Sequence, residues 1–106
     1  MDWLTPPGHR AFKAAMLARN LDDEILDCAI AVIEPRGGGP QEDHGHAHDH
    51  LFVVISGCAT IRMDGESIAL RESQALRVPG STAHSVWNET DAPVKMAGIS
   101  LKVLEP

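Results

Sequence analysis

Residues 38–57 read G-G-P-Q-E-D-H-G-H-A-H-D-H-L-F-V-V-I-S-G and hold four of the chain's six histidines. His44, His46, His48 and His50 are spaced by two. On an extended strand successive side chains point to opposite faces, so this spacing puts all four imidazoles on one face. Phe52 and Val54 continue that face, while Leu51, Val53 and Ile55 take the other. A small antiparallel barrel leaves one face to water, so a second apolar face needs a cover. A second copy of the chain is the economical one, and a homodimer is expected.

Working outward, the flanking sequence breaks into short strands separated by turn signals. Residues 25–34, I-L-D-C-A-I-A-V-I-E, cluster β-branched side chains, and Pro35-Arg36-Gly37 is expected to end that run. Asp64-Gly65 divides residues 59–63 from 66–70 and suits the type I′ turn of a tight hairpin. Residues 76–79, 84–87 and 94–103 supply three further strands. Residues 10–19, R-A-F-K-A-A-M-L-A-R, are helical by propensity, although Phe12, Ala14, Met16 and Ala18 also alternate in the manner of a strand. Residues 1–9 form an arm in which Thr5-Pro6-Pro7-Gly8 opposes regular structure, and His9 has no assigned role there. Many short strands at near-regular spacing mean an all-β sandwich or barrel.

The histidine stretch and a second segment, P-G-S-T-A-H-S-V-W-N (79–88), together resemble the two motifs of the cupin superfamily. Gly38, His44, His46, position 50 and Gly57 match every interval of the first motif, with His50 where glutamate normally stands. Pro79, His84 and Asn88 fall at the spacings of the second, with Ser73 and Ser81 replacing its two glycines. The resemblance implies a double-stranded β-helix, or jelly-roll, barrel in a single domain spanning 1–106, and it favours a strand at 10–19. It also implies metal ligands at His44, His46, His50 and His84. His48 is then a bystander and Asn88 either a support for the site or a turn residue.

Each of those four imidazoles is a competent donor, and an all-nitrogen set suits Zn, Fe, Ni, Cu or Mn better than Mg or Ca. Replacing the anionic glutamate with His50 leaves the ion's charge uncompensated, which favours an anionic ligand in the open positions. The expected function is therefore a metal-binding cupin that acts on or holds a small organic acid or a sugar-derived compound, as a dioxygenase or an isomerase. The alternative is a non-catalytic module that binds or senses a small ligand. Phe52, Val54, Val86, Arg62 and Met96 are candidate pocket residues, with Arg62 a natural partner for a carboxylate. Asp43 and Asp49 are expected to be solvated.

Other chemistry is disfavoured. Ser85 adjoins His84 on a strand and so faces away from it, which removes a Ser–His nucleophile pair. Gly37-Gly38-Gly39 lacks the Lys-Ser/Thr of a phosphate loop. With no tyrosine in the chain, the cysteine–tyrosine crosslink of some thiol-oxidising cupins has no partner. A formal net charge of −6 repels phosphate backbones, so no nucleic-acid partner is expected. No apolar run is long enough to span a membrane and no leader pattern opens the sequence, so a cytoplasmic protein with two reduced cysteines is expected.

Overall fold

A computed structural model of the chain describes residues 1–21, 23–44 and 47–103, with residues 41–44 described by their backbone alone. Eight strands follow one another: β1 (Arg10–Ala18), β2 (Ile25–His44), β3 (Asp49–Ser56), β4 (Cys58–Met63), β5 (Glu66–Arg71), β6 (Ala75–Val78), β7 (His84–Trp87) and β8 (Val94–Leu101). They lie in the order β5-β4-β7-β2-β8-β3-β6, with β1 added beside β2. All pairings are antiparallel. The fold is the all-β, nearly closed jelly-roll barrel that the motifs implied.

β2 is the spine of this barrel, and it runs on where Pro35-Arg36-Gly37 was expected to stop it. Its first half, residues 28–33, is flanked by β1 and β8, and from Gly38 onward it pairs with β7. The ladder survives the change of partner because Arg36 N–H donates to the Asn88 carbonyl and Asn88 N–H to the Gly37 carbonyl, both at 2.9 Å. The glycines permit close approach rather than a turn. A Cβ on Gly37 would lie 2.4 Å from the Ala11 carbonyl oxygen, and one on Gly38 2.4 Å from that of Val86.

β1 is a strand because pairing with residues 28–33 and 38 satisfies its backbone and overrides a helical composition. Ahead of it the arm is tied down by one bridge, in which Leu4 and Ala14 exchange both backbone hydrogen bonds at 2.9 and 2.8 Å. The hairpin between β4 and β5 closes at Met63 and Glu66, with Asp64 and Gly65 at φ of 50° and 73°. Two consecutive positive φ values make the turn type I′, as the dipeptide signals.

The core gathers Ile33, Val54, Ile61, Val78 and Val94, each essentially excluded from solvent. Burying a side chain of this kind contributes about 1.5–3 kcal/mol. Asn88, directly after β7, is buried as well. Its amide donates to the carbonyls of Ile33 and Ala92, and its oxygen accepts from the backbone and hydroxyl of Thr90. One amide hydrogen ties it across to β2 and the rest of its capacity goes into the 88–92 turn, so it is the turn residue of the two readings. Cys28 and Cys58 are free thiols. Among the described residues no helix is long and apolar enough to cross a membrane.

Candidate functional site

The barrel holds a half-open cavity of about 230 Å³ whose wall repeats with the period of a strand. Phe12 and Ala14 of β1, Ala29 and Ala31 of β2, His50 and Phe52 of β3, His84 and Val86 of β7, and Met96 and Gly98 of β8 all face it. Each pair is spaced by two, as inward positions of a pleated strand must be. The space exists because four of these ten residues are alanine or glycine. Gly39 and Pro40 of β2 and Pro6 and His9 from the arm complete the lining.

Five aromatic or imidazole rings meet around this space. His50 lies against Phe52 with ring centroids 5.2 Å apart and edge-on to His84 at 5.5 Å, and Phe52 meets His84 at 5.8 Å. On the arm side His9 sits 4.6 Å from Phe12. The His84 ring is oriented by its Nδ1, which is 2.9 Å from the Thr82 carbonyl and donates to it in the tautomer that makes this bond. That tautomer leaves Nε2 as the ring's acceptor. An apolar chamber with a few imidazole edges suits a small, largely apolar molecule bearing one polar group.

Of the four expected ligands, strand parity brings His50 and His84 to the cavity. The backbone of His44 pairs with that of His84 across β2 and β7. The His44 side chain and all of His46 lie outside the described residues, as does the side chain of Asp43.

The expected metal-dependent function is not supported. Among the described residues no group of three or more histidine, cysteine, aspartate or glutamate side chains could hold a metal ion. The His50 ring lies edge-on to His48 at 4.9 Å and to His84 at 5.5 Å. Asp49 is committed elsewhere: its carboxylate accepts from Arg77 Nε at 3.1 Å, Arg77 Nη2 at 3.0 Å and the Gly80 backbone at 2.8 Å. Asp49 is thus buried and structural, contrary to the expectation of a solvated carboxylate.

Two further expectations change. Val54 faces inward but belongs to the packed core below the cavity. Arg62 projects from the outer face, where it pairs with Glu89 at 2.9 Å and covers the Trp87 ring. His9, which has no assigned role in the sequence, lines the cavity. Nothing periodic in the arm signals its position, which depends on the Leu4–Ala14 bridge. Ser85 turns away from the cavity as alternation requires, and its hydroxyl accepts from the Trp87 indole at 2.8 Å.

Residues 29–101 match the family model of the Cupin domain. The chain belongs to the cupin family. No curated protein matches it in sequence. Among solved structures, this cupin superposes on a predicted oxalate decarboxylase from Thermotoga maritima with a TM-score of 0.82 at 10% identity, over 97% of its own length and 91% of the other's. The Ylba protein of E. coli gives 0.85 at 20% identity, with all of this chain covering 44% of that one. The cupin domain of an XRE family transcriptional regulator from Enterobacter cloacae gives 0.75 at 23% identity, over 90% of this chain and all of that domain. At these identities the likeness shows the fold alone.

Proposed function

We propose that this cupin is a non-catalytic module that binds or senses a small organic acid, held in the barrel by its apolar body with its polar group at His50 and His84. The observation carrying this reading is the cavity itself, apolar around most of its wall and edged by imidazoles. Its size sets the ligand class. An engineered apolar cavity of about 150 Å³ accepts benzene, so about 230 Å³ suits one ring with a short substituent. The likeness to a domain that in another protein belongs to a transcriptional regulator is in keeping with sensing.

Calorimetric titration with benzoate, and with benzene as the apolar control, tests the reading in the presence of a chelator. Saturable one-to-one binding of both is expected, benzoate binding more tightly and neither depending on the chelator. A requirement for added metal, or failure of both probes to bind, would overturn it.

The assembly is a homodimer in this reading. Leu51 and Val53 of the outer β3 face are half-buried and Ile55 is exposed, and Leu17 and Ile25 add exposed apolar surface. Sedimentation at micromolar concentration should give twice the mass of one chain, and a monomer mass contradicts the dimer. Free thiols at Cys28 and Cys58 are in keeping with the reducing cytoplasm.

A further inference from the structure

Behind the ligand cavity, on the outer face of the same strands, lies a second depression of about 250 Å³ lined by Arg10, Arg36, Arg62, Trp87, Asn88 and Glu89. The two spaces are back to back because neighbouring residues on a strand face opposite ways. His9 and Val86 line the first, while Arg10 and Trp87 line the second. Arg10, Gly38 and Trp87 stand in one row across β1, β2 and β7. Gly38 contributes no side chain, so the indole lies against its backbone: a Cβ there would be 2.6 Å from the Trp87 ring. From the two sides of that floor Arg10 and Arg62 reach over the indole, their guanidinium carbons 5.9 and 4.6 Å from its centroid.

We infer that this depression is a binding site for a small multivalent oxyanion, clamped by Arg10, Arg36 and Arg62 above Trp87. Three guanidiniums from three strands converge here in a chain whose formal net charge is −6. Stacking on an aromatic face orients a planar fork and leaves its N–H edges for an anion, which is the arrangement that reads phosphoryl or carboxylate oxygens two at a time. Among the described residues Arg10 has no hydrogen bond or ion pair, so its donors are available. The carboxylates opposite the other two are exposed: Asp91 pairs with Arg36 at 2.6 Å and is 94% exposed, and Glu89 pairs with Arg62 at 2.9 Å and is 54% exposed. Such pairs hold weakly and yield to a ligand with more charge. Arg36 stays in place meanwhile, since it also donates to the carbonyls of Glu89 and Thr90. Asn88 takes no part, its amide being used by the carbonyls of Ile33 and Ala92.

The chain has two tryptophans, so a Trp3→Phe background makes Trp87 the only indole reporter. Titration of that protein with inorganic pyrophosphate at constant ionic strength should change its emission saturably. Arg10→Gln and Arg62→Gln should each weaken the apparent affinity by about tenfold, the loss expected for one charge-assisted donor pair. Arg10→Lys keeps the charge without the fork and should also weaken binding. Citrate in place of pyrophosphate separates carboxylate from phosphoryl ligands, and saturation by either supports the site. An emission change that follows ionic strength alone, or undiminished binding by the folded Arg10→Gln/Arg62→Gln double variant, would overturn it.

Discussion

Asp49 shows how one side chain can mislead when its partners are distant in sequence. It stands among the histidines, where a carboxylate looks either metal-ligating or solvated, yet it is buried beneath Arg77 and capped by the Gly80 backbone. Removing its charge leaves a half-covered guanidinium and a buried N–H with weaker partners. Asp49→Asn should therefore cost roughly 2–4 kcal/mol, checked by urea denaturation. A loss within 0.5 kcal/mol of zero, the range of ordinary surface changes, would contradict this account of Asp49. Ser73 offers the opposite test. It occupies a position where the family motif has glycine and sits at φ 67°, a conformation that costs an ordinary residue about 1–2 kcal/mol. Glycine removes that strain but adds flexibility to the unfolded chain, so Ser73→Gly should stabilise by about 0.5–1 kcal/mol in the same assay.

At the scale of elements, the readable parts were those governed by local chemistry. Asp64-Gly65 specifies its turn by itself, and the β-branched run at the start of β2 and the apolar run of β3 declare themselves strands. Strand parity put His50 on an inward face, and the motif resemblance brought His84 beside it; both line the cavity. What could not be read depends on neighbours from elsewhere in the chain. β2 passes through Pro35 because Arg36 N–H donates to the Asn88 carbonyl and Asn88 N–H to the Gly37 carbonyl, just past the end of β7. Arg62 was an inward candidate, but its strand presents Ala59 and Ile61 to the core and turns Arg62 toward Trp87. The cavity itself had no signal, because Ala14, Ala29, Ala31 and Gly98 are small residues whose shared effect appears only when their strands are side by side. A Cβ on Gly98 would meet the Phe52 ring at 3.8 Å, an ordinary contact. That position tolerates alanine without strain.

For the whole molecule, the sheet separates two chemistries with a single layer of backbone. Inside is an apolar chamber edged by imidazoles, and outside it are the arginines around Trp87. The central claim is that the chamber holds the ligand. It is tested most directly by labelling the methionine methyl groups with ¹³C and titrating benzoate in the presence of a chelator. The chain has four methionines, of which Met96 lines the cavity, Met16 is exposed and Met63 packs outside the chamber. The account predicts a saturable shift of the Met96 resonance, with Met16 and Met63 unmoved. A Met96 resonance that stays put while benzoate binds, or a shift seen only after metal is restored, would contradict it.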